Sequence, residues 1–451
     1  MKKCIFLFVL SLLLSVAYPQ YENQFVLPDQ GKVAGGLGLN WIDGQLYYNI
    51  NFRPEVSLGN FGAGLDLKLD FDKNGKLRKE NFNEFSDYIS VIRYLRYGLK
   101  GDPVFVKLGA LDYYTLGNGS IMYMYNNSPS YDVRHSGLVV DVDFGLIGLE
   151  SIYSNFGEAG VVGIRGYTRP FKFTSLGDIP IIGNITVGVT YASDFNKYAG
   201  ITSGVYSPSK NDFISKNDNG AINILGADLT LPLLNTGIVG VKLYTDFAKI
   251  VNFGSGVATG IIVNLNGLGL VNAQAKLERQ FNGKKYIPSY FNSLYEVERF
   301  RLDTLNSTNL QVNSKIRKLE AMGDGDNGYF GSLGVDVLGL FYVTGSYQRL
   351  DKSPNSGILN INAQIAPEQF PVVVRSGYNK INIKDETDLF KLDDRSYLFF
   401  ELGYKPMSYL LVSMVYNWTF TPVRDNDKNI VNYKPIKRIE PRVTFIYPFN
   451  M

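Results

Sequence analysis

Residues 438–449 read Arg-Ile-Glu-Pro-Arg-Val-Thr-Phe-Ile-Tyr-Pro-Phe. Every odd position is apolar: Ile439, Pro441, Val443, Phe445, Tyr447 and Phe449. Four of the six even positions, Arg438, Glu440, Arg442 and Thr444, are polar. Successive side chains of a strand point to opposite faces, so this alternation predicts a strand with one apolar face and one wet face. A water-soluble sandwich would contain such strands too, so the decision rests on what surrounds this one.

The same period runs upstream. Val33, Leu37, Leu39 and Trp41 share one face, and Asp43-Gly44 follows as a tight-turn pair. Leu46, Tyr48, Ile50 and Phe52 oppose Asn49, Asn51 and Arg53, and Leu65, Leu67 and Leu69 oppose Asp66, Lys68 and Asp70. Further strands are predicted near 87–98, 103–112, 134–144, 146–155, 160–169, 182–194, 219–231, 237–249, 255–265 and 268–280. After a long gap come 328–338, 340–351, 356–366, 371–384, 396–405, 409–421 and 437–449, which makes about twenty (18–22) strands. The connections alternate in length. Those after even-numbered strands are short, such as 99–102, Gly145, 266–267 and Gly339. Those after odd-numbered strands include 72–86, 113–133, 195–218, 281–327 and 422–436. Residues 170–181 are the exception, a long connection on the short side whose Pro170, Pro180 and apolar residues predict a packed turn.

The chain has 451 residues, a net charge of +3 and 45% hydrophobic residues, with a mean hydropathy of −0.06. Tyr (31), Phe (29) and Gly (46) are abundant, as closely paired strands with tight turns require. The near-neutral charge offers no basic patch, so nucleic acid is not an expected partner. Lys2, Lys3, an apolar run Ile5–Val16 and Ser15-Val16-Ala17 form a signal peptide, 1–17. Its apolar run is shorter than the ~20 residues of a spanning helix. Cys4, the only cysteine, lies inside that segment, so no disulfide is expected afterwards. Residues 18–32 read as a short periplasmic lead, and 33–451 as one domain with a long loop at 281–327.

An exported chain of alternating strands, ending in an aromatic-tipped strand, resembles a porin-like bacterial outer-membrane β-barrel. Phe449 carries that resemblance, although Asn450 and Met451 follow it. The resemblance implies an all-β, transmembrane, antiparallel up-and-down barrel with short periplasmic turns and long external loops. It also implies residence in the cell outer membrane, contact with its lipid, and recognition of the last strand by the barrel assembly machinery. A homo-oligomer is compatible with it. The expected function is passive diffusion of small polar solutes, without enzymatic activity and without cofactors. The competing expectation is a non-conducting structural or docking barrel of a larger envelope or secretion assembly.

Parity then assigns a lumen-lining face. Its basic positions are Arg53, Lys68, Lys107, Arg165, Arg169, Lys242, Lys276, Arg375, Arg438 and Arg442. Its acidic positions are Asp66, Asp70, Asp141, Asp143, Glu150, Asp228, Asp246, Glu278, Asp336, Glu401 and Glu440. Two readings follow: a wet channel between charged walls, or charges that pair across strands and fill the barrel. Segment 281–327 is far longer than ordinary loops and too aromatic to be disordered, so it is expected to have a function. Tyr290, Tyr295, Glu298, Arg299 and Arg301 are its expected constriction residues, with a short helix within Ser293–Leu305 and the two arginines set against lumen carboxylates. The alternative is an external cap over the mouth. Asp70, Asp72 and Asn74, followed by Gly75, match the front of a calcium loop, but Asn81 stands where the closing Glu belongs, so a polar hairpin tip is the expectation there. Asp425 and Asp427 are possible further carboxylates for it. His135 is the only histidine, and its neighbour Ser136 would point to the opposite face of a strand, which argues against a Ser-His pair.

Overall fold

The computed structural model describes residues 29–82, 85–207, 212–267, 270–306, 309–365, 370–425 and 430–450. Residues 1–17, read above as a signal peptide, most of the expected lead 18–32, and Asp427 lie outside them.

Twenty antiparallel strands close into one barrel. They are β1 (Gln30–Ile42), β2 (Gln45–Leu58), β3 (Phe61–Leu65 with Leu67–Phe71), β4 (Ile92–Tyr97) and β5 (Val104–Gly109). Next are β6 (Gly137–Asp143), β7 (Ile147–Tyr153), β8 (Val161–Thr168), β9 (Thr186–Asp194) and β10 (Ile222–Asn235). Then come β11 (Val239–Ile250), β12 (Ser255–Gly267), β13 (Val271–Asn282), β14 (Gly328–Val337) and β15 (Phe341–Leu350). The last are β16 (Gly357–Ile365), β17 (Val372–Ile383), β18 (Ser396–Met407), β19 (Leu410–Arg424) and β20 (Ile430–Asn450). Each pairs with its neighbours in sequence. Closure is made by β1 against β20, in register from Gln30↔Asn450 to Ile42↔Arg438.

The faces are sorted the opposite way from a soluble domain. Leu37, Ile50, Phe61, Leu225, Leu277 and Phe445 are exposed, while Asp70, Arg165, Asp228, Asp246, Glu401 and Arg442 are buried. A sandwich would bury the first set and expose the second. An apolar outside around a charged inside is the arrangement of outer-membrane barrels. Among the described residues no helix is long and apolar enough to cross a membrane.

Several local expectations need correction. The stretch 87–98 begins as a short helix, Phe85–Ile89, and only Ile92–Tyr97 is strand. Connection 195–218 contains a hairpin of Ile201–Ser207 with Asp212–Asp218. Of the connection expected at 422–436, residues 422–424 and 430–436 are strand, because β19 and β20 stay paired from Leu410↔Phe445 to Arg424↔Ile430. Turn 170–181 holds two 3-10 turns, Pro170–Phe173 and Ser175–Asp178, and a third, Ile182–Asn184, takes the start of the strand expected at 182–194, which begins at Thr186. Gly183 lies so close to Gly177 that a Cβ there would meet its carbonyl oxygen at 2.1 Å, but Phe173, Leu176, Ile179 and Ile181 remain exposed.

Candidate functional site

Two connections at the long-loop end turn back into the ring. The first, 110–136, joins β5 to β6. Its Tyr114 hydroxyl donates to Asp141 on β6 at 2.8 Å, and Gly117 N donates to Glu150 on β7 at 2.7 Å. Asn118 and Ser120 donate to the Asp246 carboxylate on β11 at 2.9 and 2.6 Å. Asn379 on β17 donates to the Tyr113 hydroxyl, and Ser130 and Pro129 bond the Phe420 carbonyl and the Thr419 hydroxyl on β19. Tyr131 donates to Asp70 on β3 at 3.0 Å. Strands β3, β7, β11, β17 and β19 lie all round the ring, so one segment reaches them together only by crossing its interior. Tyr113 and Met124 hold φ of 61° and 51°, left-handed values that non-glycine residues rarely adopt.

The second segment, 283–327, joins β13 to β14. Ser289 donates to Gln348 on β15 at 3.0 Å, and Ser293 to Asn360 on β16 at 2.7 Å. Tyr295 and Arg299 both donate to Asp194 at the end of β9, at 2.7 and 2.5 Å. Asn382 on β17 donates to Glu298 at 2.9 Å, and Asn432 on β20 to the Leu302 carbonyl at 2.9 Å. The two segments hydrogen-bond to each other: Ser289 N to Ser120 O, Phe291 N to Ile121 O, and Tyr123 N to Phe291 O, at 2.9–3.1 Å. Together they bury Met122, Tyr125, Phe291, Tyr295, Ile316 and Leu319 in an apolar core shared with Val139, Ile152, Ile224 and Ile250 of the wall.

Buried charge ties this insert to the wall. The Arg299 guanidinium holds Asp194 on β9 and Glu296 on its own turn. Glu298 sits between Lys315 and Lys318, at 2.8 and 3.1 Å. Burial alone would raise the Glu298 carboxyl, but the two ammonium groups outweigh it and hold it well below the usual carboxylate range. The carboxylate therefore stays ionised in mild acid, while the stability it contributes is full above the ordinary carboxylate range and declines as pH falls from there toward the lowered value.

The predicted constriction residues separate. Tyr290, Tyr295, Glu298 and Arg299 are buried in the insert. Arg301 instead reaches Asp394, in the connection between β17 and β18, and Asp303. The helix is one turn, Tyr295–Glu298; Phe300–Asn306 then pairs with Asn309–Ser314 as a hairpin, because Phe300 and Leu302 alternate with Arg301 and Asp303. A second helix, Lys315–Ala321, follows, capped by the Ser314 hydroxyl.

The parity-assigned charges are mostly paired. Arg53 and Lys68 meet Asp66, and Arg165 bridges Glu150 and Asp228. Arg169 pairs with Asp143, Lys276 with Glu278, and Arg375 and Arg442 with Glu401. Arg438 pairs with Glu440 and lies over the Tyr131 ring at 3.7 Å, and Lys100 approaches Asp141 at 3.1 Å. Asp336 accepts from Gly339 N in its own turn. Lys107 is half-buried on the face of Phe105, and Lys242 lines a cavity described next.

Space remains beside the insert. A cavity of about 400 Å³ is bounded by Lys100, Asp141, Glu150, Arg165, Lys242 and Lys276 and by Tyr113, Asn118 and Tyr123 of the first segment. A second, of about 240 Å³, lies on its other side, between β2–β4, β18–β20 and residues 128–136.

The calcium match does not form a site. Asp70 faces the interior and accepts from Asn40, Asn49 and Tyr131. The Asp72 carboxylate instead closes the hairpin tip, accepting from Asn74 N and Lys76 N at 2.9 and 2.8 Å. Among the described residues no three His, Cys, Asp or Glu side chains form a metal-sized group. Burial pushes His135 down to about 4, so it is neutral at pH 7.

Segment 110–136, with its Tyr125, was not anticipated as part of the insert, nor was Asp194 as the wall carboxylate that Arg299 meets. The segment's signal was present: Ile121, Met122, Met124 and Tyr125 would strand an apolar run in water on a free external loop.

No protein-family model matches the chain, and no curated protein matches it. Among solved structures it is similar to OccK11 (OpdR) of Pseudomonas aeruginosa, at 8% identity over 93% of this chain and 95% of that one, with a TM-score of 0.31. OccAB3 of Acinetobacter baumannii gives 10% identity over 93% and 98%, with a TM-score of 0.29. The siderophore receptor PirA of the same organism gives 10% over 94% and 81%, with a TM-score of 0.36.

Proposed function

We propose that the protein is an outer-membrane channel through which small polar solutes diffuse passively, with its passage narrowed by the two inserted segments. The observation that supports this most is the interior itself. A twenty-strand ring is wide enough to leave an aqueous lumen by the scaling of smaller porins. Here the insert crosses that interior and leaves cavities with charged walls on either side of segment 110–136. Polar walls favour hydrated solutes, and a lumen this wide needs narrowing if the envelope is to stay tight.

Outer-membrane residence has its own test. The purified protein is expected to migrate differently on gels with and without boiling, and to fractionate with outer membrane. Recovery as a soluble periplasmic protein would defeat the reading. Narrowing is tested by replacing 286–324 with a short Gly/Ser turn. Single-channel conductance in planar bilayers is expected to rise. If the shortened barrel still folds and conductance does not rise, segment 283–327 is not the constriction.

A second reading, a non-conducting structural or docking barrel, is favoured by one observation: an ion pair fixes the insert to β9 and hydrogen bonds fix it to β15, β16 and β17. Silence of a folded barrel in the same bilayer would support it.

A further inference from the structure

The outer face carries a polar row across β11–β15. Direct pairing sets Thr245 beside Thr259, Thr259 beside Arg279, Arg279 beside Tyr329 and Tyr329 beside Arg349. The row crosses the external half of these strands. Beyond it on β11, β12 and β13 the next outward residues are Phe247, Val257 and Phe281, all exposed. The two threonine hydroxyls bond each other at 3.3 Å, and Nη1 of Arg279 meets Asp351 at 3.0 Å. Arg349 is held differently. It donates to two neutral oxygens, the Tyr347 hydroxyl at 3.2 Å and the Lys384 carbonyl at 2.8 Å, and among the described residues it forms no ion pair. The exposed Glu386, in the turn after β17, acts on it only through space. A guanidinium carries five N–H groups, so most of the Arg349 fork stays open.

An open groove lies beside this row, toward the middle of the wall. Leu243, Ile261 and Leu277 form one bank, Tyr329 and Tyr347 the other, and Gly331 the floor. Leu277 and Tyr347 flank Gly331 in direct pairing. Wall packing does not require this glycine: a Cβ there would come no closer than 3.5 Å to any neighbour, an ordinary contact. The groove is thus left unfilled by a residue that could have filled it.

We propose that this face binds a phosphate-bearing lipid of the outer leaflet, with an acyl chain over Gly331 and the phosphate on Arg349 and Arg279. The proposal rests on the outer-membrane reading above. Charge selects the occupant, because planar N–H forks meet phosphate oxygens in pairs. The groove beside them takes hydrocarbon, and the Tyr329 and Thr259 hydroxyls serve the headgroup's remaining oxygens. A second copy of the chain fits less well, since a two-fold contact centred on this row would set Arg279 against Arg279.

The test is native mass spectrometry on the delipidated, folded full-length barrel in detergent. The probes are dimyristoyl phosphatidate, dimyristoylglycerol, which has the chains without the phosphate, and inorganic phosphate, which lacks the chains. Phosphatidate alone is expected to be retained. Arg349→Gln is expected to weaken its retention at least about tenfold. Gly331→Leu fills the groove, leaves both arginines in place and is expected to weaken retention as well; it also serves if the first variant fails to fold. Equal retention of dimyristoylglycerol, which would mean annular lipid only, retention of inorganic phosphate alone, dimers that exclude lipid, or unchanged retention in a folded variant would each overturn the site. A parent protein that does not fractionate with outer membrane overturns both readings; one that does, yet retains no phosphatidate, overturns this one alone.

Discussion

Leu277→Arg is expected to destabilise the barrel by about 2–4 kcal/mol, whereas Gln274→Arg on the same strand costs about 1 kcal/mol or less. Both lie on β13, Val271–Asn282, near its middle. Leu277 is 65% exposed on the outer face, where arginine would have to enter hydrocarbon. Gln274 borders the 400 Å³ cavity and bonds Asn264 at 2.7 Å, so arginine there stays in water. Asp66 is a poor inward control, since it holds Arg53 and Lys68 and its replacement by arginine would set several cations together. Urea unfolding of each variant in vesicles of one lipid composition gives the comparison. Equal costs would mean that the outer face of β13 does not meet lipid.

Arg299→Met is expected to cost about 3–5 kcal/mol, the penalty for leaving a buried ion partner uncompensated. Its side chain is 10% exposed, and those of Asp194 and Glu296 are 0% and 5% exposed. Methionine would leave two carboxylates facing each other in the dry part of the insert. The cost falls on the insert rather than on the wall, because β9 keeps its ladders to β8 and β10. The variant should therefore keep its heat-modifiable barrel and become sensitive to protease within 283–327. Asp194→Asn added to it should restore part of the protection. A variant as resistant as the parent protein would show that Arg299 does not hold the segment.

All twenty strands were legible because a barrel wall meets lipid on one side and water on the other, and that contrast is written at period two. Ala63 to Phe71 and Arg438 to Phe449 show it plainly. The interior was less legible. Arg299 was readable as a buried cation, because an arginine among aromatics needs acidic partners. Which carboxylate it meets was not, since Asp194 lies 105 positions away and no local pattern links the two. Arg301 shows the same limit: its neighbours in sequence look like those of Arg299, yet the hairpin carries it to Asp394. The helix expected within Ser293–Leu305 is limited to one turn, Tyr295–Glu298, because Phe300 and Leu302 fit a strand alternation as well as a helical face.

The pairing of β1 with β20 also sets an order of events. Its two edges come from opposite ends of the sequence, so their meeting carries a large loop-closure cost and belongs late in folding. Before it, both edges present unpaired backbone groups that invite aggregation. Yet Ser130 bonds the Phe420 carbonyl on β19, and Asn432 on β20 bonds the Leu302 carbonyl. The last strands to be made therefore touch both inserted segments. Sealing the wall and seating its contents are thereby coupled, since the final two strands each hold one of the inserted segments.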